Sequence, residues 1–366
     1  VASRPTGPPG PSDGSPPDAA KRARTAHQHR EPRVSDPTGQ DPPITIENET
    51  LRLVVEPAVG GGVRSLHTRP GTDHPWTPLL RETPDAPAEH TFNNLASYPL
   101  APWCNRIPRG ELTHRGETHQ LGTWWTDPPT NAPSAIHGVV CRRPAAVTHQ
   151  ADDQILLRFQ PHAPDGLDPD WPWRFAVEIG YRITTNSLHA EIGVRNDDGR
   201  PMPAGVGFHP YFPRTRTADD GSEATVHLRA HTSGRFPARS FIPTGPARDD
   251  GAARALRRGV HADDIPTDHT FAGWNGLCQL WWPGSPLRVA LRASDDLPML
   301  HIFTQQPADP DAAAYRPPPP FLAAEPVSHA PDAFNLAGVG RDDLGAVELG
   351  PGERLRAAME INADWR

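Results

Sequence analysis

The sequence predicts an all-β protein whose antiparallel sheets pack as a large sandwich. Three features of its 366 residues point there. Apolar residues recur at every second position in short runs, Pro, Gly and Asp turns separate the runs, and long helical periodicity is nearly absent. In one run Phe175, Val177, Ile179, Tyr181 and Ile183 alternate with Ala176, Glu178, Gly180 and Arg182, so one face turns inward and the other outward. The next run sets Leu188, Ala190, Ile192 and Val194 against His189, Glu191 and Arg195, with Thr185-Asn186 between the two as a hairpin turn. Similar runs cover residues 44–56, 154–160, 224–231, 277–282, 287–292, 299–305 and 354–361. No fixed-period repeat emerges, which argues against a propeller.

Taken in order, residues 1–43 are rich in Pro, Gly, Ser and charge and carry almost no bulky apolar residue. Such a segment buries too little surface to offset its ordering entropy, and a disordered tail is expected there. Residues 44–366 are expected to form a single domain. With 36% apolar residues the chain has ample material for its core, and a net charge of -8 argues against nucleic-acid binding, which requires a basic face. Lys21 is the only lysine, so the positive charge is almost all arginine, whose planar fork suits hydroxyl-rich or carboxylate ligands. Cys104, Cys141 and Cys278 are odd in number and widely spaced, which suggests neither a disulfide framework nor a zinc knuckle. Reduced thiols, no charged-then-apolar leader and no bilayer-length apolar run lead to the expectation of a cytoplasmic protein without membrane association. The oligomeric state is left open between monomer and dimer.

Five stretches place polar, chemically capable residues at apolar or proline-rich strand ends. The most unusual is PAGVGFHPYFP, Pro203 to Pro213, which sets His209 between Phe208 and Pro210. Pro210 removes a ladder donor and holds His209 extended, which predicts a strand end or barrel rim rather than a central strand. YPLAPWCNRIP presents Asn105 and Arg106, AIHGVV presents His137 beside Gly138, TDHTFAGWNG presents Asp268, and FLAAEPVSHAPDAFN presents Glu325 just before Pro326. Each alone also reads as an ordinary turn, cap or surface ion-pair residue. Together they supply two carboxylates, two imidazoles and a guanidinium, and tryptophans at 103, 124, 125, 274, 281 and 282 add aromatic faces, an inventory suited to a polyhydroxylated ring.

In this order the motifs APWCNRI, IHG, GFHPYF, TDHTFAGW and AAEPVSHAPDAFN resemble the aldose 1-epimerases, the galactose-mutarotase family, from about Ile44 to the end of the chain. The resemblance implies a large antiparallel β-supersandwich, a sugar substrate, no cofactor and no metal. It also implies Glu325 as catalytic base and His209 as catalytic acid, with Arg106, Asp268 and His137 holding the substrate and Asn105 beside them. Trp103-Cys104 stands where the family usually carries phenylalanine or a small residue, which bears on the shape of the pocket floor. Anomer interconversion needs a proton taken from the anomeric hydroxyl and another delivered to the ring oxygen, and a carboxylate opposite an imidazolium can do both. Neutral-pH work calls for an ionised Glu325 and a protonated His209, each expected to favour the other by proximity.

Three other readings compete. A hexose-6-phosphate epimerase of the same fold needs a phosphate cradle, to which Arg142 and Arg143 could contribute. A non-catalytic carbohydrate-binding sandwich has no need of both His209 and Glu325. A cupin-type metal enzyme needs clustered histidines, and the only His-x-His pair, His27 and His29, lies in the tail. Loops around Trp124, 164–173 and 307–320 are expected to set substrate choice, the tetraproline 317–320 serving as a stiff spacer.

Overall fold

The computed structural model describes residues 1, 41–83, 91–127, 131–161, 166–265, 268–304 and 321–366. The expected tail, its His27 and His29, and the loop 305–320 with its tetraproline therefore lie outside the described residues, apart from Val1 and residues 41–43.

The alternating runs form one nine-stranded antiparallel sheet. Its spatial order is Ala146–Gln150, Gln154–Phe159, Phe175–Ile183, Ser187–Asn196, Arg354–Trp365, Leu287–Ala293, Leu277–Trp281, His227–Ala230 and Val260–His261. Registers follow the polarity pattern: Leu157 faces Ile179, Ile179 faces Ile192, and Ile192 faces Ala357, all buried. A slip of one residue would turn this whole aliphatic set outward, so burial fixes the pairing.

A second, seven-stranded sheet holds the motifs. Along its main path run Gly234–Arg235, His269–Ala272, Met299–Thr304, Phe321–Val327, Gly207–Phe208 and Pro99–Leu100, and Tyr211–Pro213 also pairs with Phe321–Val327. Ile302, Ala324 and Phe208 on one face belong to the same apolar cluster as Val177, Ile179 and Ile192 of the larger sheet. The alternate residues occupy the other face. One eight-residue helix, Gly251–Arg258, is N-capped by Asp250, whose side chain accepts from the amide of Ala253. Among the described residues no helix is long and apolar enough to cross a membrane.

His209 lies at a strand end as expected, between Gly207–Phe208 and Tyr211–Pro213, but this strand end is inside the sheet rather than at a rim. Its segment is not at an edge, because Gly207 pairs with Val327 on one side and Leu100 on the other. Pro210 interrupts the ladder from within: assigned pairing stops at Phe208 and resumes at Tyr211. The His209 amide itself donates to Tyr98 O at 3.0 Å.

Candidate active site

Strand register assembles the site as a single row. Gly207 faces Val327 and Tyr211 faces Ala323, the same register on both sides of the interruption, so His209 stands opposite Glu325. On its other flank Glu325 pairs with His301, and His301 pairs with Thr270. Phe208 faces Pro99, which puts Tyr98 opposite His209. Tyr98, His209, Glu325, His301 and Thr270 thus come from five adjacent segments onto one face, and all five are buried. His209 Nε2 lies 3.1 Å from Glu325 Oε1, and Tyr98 stacks on the His209 ring with centroids 4.7 Å apart. His209 Nδ1 and Glu325 Oε2 have no hydrogen-bond partner among the described residues.

A short sheet delivers the second half. Arg106 pairs with Ile136, so Asn105 meets His137 across the ladder. The amide of His137 donates to Asn105 O at 2.9 Å, and the amide of Asn105 donates to His137 Nδ1 at 3.3 Å. That bond leaves the proton of a neutral His137 on Nε2. Asn105, His137 and Asp268 have φ of 53°, 63° and 58°, in the left-handed region that non-glycine residues rarely occupy and that clusters at functional sites. Gly138 follows at φ 74°, where a Cβ would stand 1.9 Å from Ala101 O. Only glycine fits there.

Arg106 is held on three sides. Its Nε donates to Asp127 Oδ1 at 2.6 Å, Nη1 to Asn105 Oδ1 at 2.9 Å and Asp268 Oδ1 at 3.2 Å, and Nη2 to Asp268 Oδ2 at 2.7 Å. Among the described residues four of the five guanidinium N–H groups are engaged and one, on Nη2, is left for a ligand. The Phe241 ring covers the guanidinium at 4.2 Å. Asp127 is anchored in turn by Ser134 Oγ at 2.5 Å and Trp125 Nε1 at 3.2 Å. His301 Nε2 reaches Asp268 Oδ1 at 2.9 Å, and its Nδ1 lies 2.7 Å from Thr270 Oγ1.

Burial governs the proton affinities. It pushes the Glu325 carboxyl up to about 7, with His301 and Arg106 pulling the other way and Asp268 adding to the rise. Burial also drives His209 well below the usual imidazole range, helped by His137 and Arg81, and it does the same to His137, helped by Arg106 and His301. Contrary to the expectation that proximity keeps Glu325 ionised and His209 protonated, loss of water outweighs mutual attraction and favours the neutral form of each, the proton of Glu325 leaving as pH rises through about 7. Asp268 behaves oppositely, because Arg106 and His301 outweigh its burial and hold it well below the usual carboxylate range. The cleft over this row is lined by Asn105, Arg106, His137, His209, Asp268 and Glu325, and also by Tyr98, Trp125 and His301.

The sequence model of a known family, described as aldose 1-epimerase, matches residues 42–362. The chain belongs to the aldose 1-epimerase family. The uncharacterized protein YphB of Escherichia coli K12 is 25% identical over 293 residues, covering 79% of this chain and 90% of that one. Solved structures at lower identity share the fold. A galactose mutarotase-like protein from Clostridium acetobutylicum is 18% identical with a TM-score of 0.72, covering 92% of this chain and 99% of the other. The galactose 1-epimerase from Lactobacillus acidophilus is 16% identical with a TM-score of 0.65, covering 88% and 94%.

All six residues singled out in the sequence of this aldose 1-epimerase family member meet in the one cleft. Other expectations change. Among the tryptophans only Trp125 lines the cleft; Trp103 is buried against Trp171, centroids 5.0 Å apart, and Trp274 and Trp282 belong to the core. Neither Trp103 nor Cys104 forms the pocket floor, the Cys104 amide instead donating to His329 Nε2 at 2.9 Å. Arg142 and Arg143 are engaged by Asp170 at 2.6 and 2.8 Å, Arg143 also by Asp168 at 3.1 Å, and neither lines the cleft. His137, His209 and Glu325 place ligand atoms within 4.8 Å of one another, a spacing that could hold a metal ion. The Asn105 amide occupies His137 Nδ1, however, and keeps the proton on the other nitrogen, which suits a donor better than a ligand. Two participants escaped the sequence reading. Asp127 follows the Trp124-Trp125 pair, and His301 is the lone imidazole in MLHIFT; a histidine inside an apolar alternating run was the available signal.

Proposed function

We propose that the protein is a mutarotase that interconverts the α and β anomers of a free aldohexose by acid-base ring opening and reclosure. The observation that carries this reading is the buried 3.1 Å pair of His209 and Glu325, each with its other polar atom unpartnered among the described residues. Glu325 as base takes the proton from the anomeric hydroxyl. As the carbonyl forms at C1, the bond from C1 to the ring oxygen breaks, and that oxygen takes the proton held on His209. Rotation about the bond from C1 to C2 exposes the other face of the carbonyl. Reclosure returns the ring-oxygen proton to His209 and the Glu325 proton to the anomeric oxygen, so the pair ends as it began. The one-proton state is the working state: its proton rests on Glu325 and passes across the 3.1 Å contact to His209 Nε2 as Glu325 becomes the base, and its macroscopic limits belong to the pair.

The surroundings serve to position the ring. His137, neutral with its proton on Nε2, acts as a fixed donor to a sugar oxygen. The remaining Arg106 N–H and Asp268 Oδ2 provide a donor and an acceptor side by side for a pair of ring hydroxyls, which makes the proton transfers effectively unimolecular. The hexose-6-phosphate reading is disfavoured because the carboxylates of Asp168 and Asp170 already engage Arg142 and Arg143.

Polarimetry of freshly dissolved α-D-glucose and α-D-galactose tests the proposal. The wild type should hasten the approach to anomeric equilibrium, and folded Glu325→Gln and His209→Asn should not. A wild type that binds sugar but accelerates neither these nor glucose 6-phosphate would replace the mutarotase with a carbohydrate-binding protein.

A further inference from the structure

Glu325 has two histidine neighbours in its row, and the mechanism above uses only one. His209 reaches it directly, whereas His301 stands in register on the opposite flank with both ring nitrogens committed elsewhere. Asp268 is held ionised, so the His301 Nε2 at 2.9 Å donates to it. The Thr270 hydroxyl at 2.7 Å closes the other end of the ring. A buried imidazole clamped at both nitrogens cannot turn to meet substrate or exchange protons with it, so its chemistry acts through its neighbours.

Two neighbours depend on it. Asp268 uses Oδ1 for His301 and for Arg106 Nη1 while Oδ2 meets Arg106 Nη2, so His301 fixes the plane in which carboxylate and guanidinium meet. Glu325 faces His209 and Tyr211 on one flank and His301 and Asp268 on the other, with Tyr98, His137 and Arg106 lining the same cleft. Among these His301 is the largest influence opposing the burial of the Glu325 carboxylate.

We propose that His301 is a positioning residue for this site: clamped between Thr270 and Asp268, it sets the Asp268–Arg106 pair that holds the sugar and supplies the polar flank against which Glu325 works as base. This rests on the mutarotase reading for its kinetic part but not for its electrostatic part. His301→Gln keeps an amide donor within reach of Asp268 and removes the imidazole beside Glu325; His301→Ala removes both.

The experiment pairs kinetics with a titration that needs no substrate. In protein labelled with ¹³C at glutamate carboxyls, with Glu325→Gln to assign the signal, the Glu325 carboxyl should titrate at higher pH in His301→Gln than in wild type. On sugar, His301→Gln should lower kcat with KM little changed and move the basic limb of the pH profile upward, because that limb marks loss of the proton shared by the pair. His301→Ala should in addition raise KM, by about 10- to 100-fold, the scale of a lost charge-assisted hydrogen bond. An unmoved Glu325 titration in a folded His301→Gln protein overturns the proposal whether or not any sugar turns over. A moved titration with no activity on any aldose in wild type overturns the mutarotase reading and leaves the positioning role standing.

Discussion

Two cross-strand rows show how the same pairing geometry serves opposite ends. In the nine-stranded sheet Leu157, Ile179, Ile192 and Ala357 stand side by side, buried and wholly apolar. In the seven-stranded sheet Tyr98, His209, Glu325, His301 and Thr270 stand in an equivalent row, just as buried and almost wholly polar. The first row gains free energy from the removal of water. The second is costly for the same reason, since burial is the largest cause that lifts the Glu325 carboxyl to about 7. Stability made in one sheet lets the other hold a carboxylate and an imidazole in states that water would not permit.

The sharpest way to break this contrast is Glu325→Gln. With Glu325 as the proposed base, its loss should lower kcat by about 10²- to 10⁴-fold. The same substitution should stabilise the fold, and the sign follows from the direction of the shift. A carboxyl whose folded value lies near 7 and whose ordinary value is 4.5 favours folding when protonated, so its contribution is intact below pH 4.5 and is lost as pH rises to about 7 and beyond. At pH 8 the variant should gain about 3 kcal/mol relative to wild type, and at pH 4 almost nothing. Its mirror in the other row, Ile179→Ala, should cost about 2–5 kcal/mol and leave the rate per folded molecule unchanged. Thermal melts at both pH values, together with polarimetry, check each half. A Gln variant that melts lower at pH 8 would mean that the polar row supports the fold.

His209→Asn sharpens the contrast within the polar row itself. Wild-type kcat/KM should fall as pH rises through about 7, where the pair loses its shared proton and Glu325 marks the upper limit. Without His209 the residual rate depends on Glu325 as base alone, so it should rise with pH through the same region. A variant whose rate instead fell in parallel with the wild type would place the essential acid elsewhere, His137 being the nearest candidate.

These rows were unequally legible in the sequence. The aliphatic row announced itself, because alternation through Phe175–Ile183 and Ser187–Asn196 fixes which side chains turn inward. His209 and Glu325 can be noticed because each sits beside a proline, which removes a ladder donor from its strand. His301 could not be noticed in the same way: MLHIFT continues through it without a break, and only the registers His301–Glu325 and Thr270–His301 reveal its neighbours. Register between segments far apart in the chain depends on burial of the whole sheet, which no local pattern states. The protonation of the pair is hidden from the sequence for a related reason, since charge attraction is visible from residue types whereas burial is a property of the fold.

Gly138 tests whether backbone strain belongs to the polar region alone. A Cβ there would meet Ala101 O at 1.9 Å, and φ of 74° is unfavourable for any side chain. Gly138→Ala should destabilise by about 1–3 kcal/mol and displace the adjoining His137, raising KM more than it lowers kcat. Gly180, on the outer face of the larger sheet, would place its Cβ 3.2 Å from the flexible end of Leu156, and Gly180→Ala should be tolerated with full activity.

The smallest effect is expected from Arg142 and Arg143, where charge lies near the site without entering it. Asp168 and Asp170 engage both, Arg142 stacks on Trp124 at 3.5 Å, and each is only partly exposed. Replacing either by alanine should cost about 1 kcal/mol of stability, the scale of a partly screened ion pair. Because their charge is already balanced, neither change should alter the ratio of rates on glucose and glucose 6-phosphate. A fall of about tenfold or more confined to the phosphorylated sugar, equivalent to about 1.4 kcal/mol of transition-state binding, would show that a phosphate can draw these arginines away from their aspartates. The hexose-6-phosphate reading would then replace the free-sugar one.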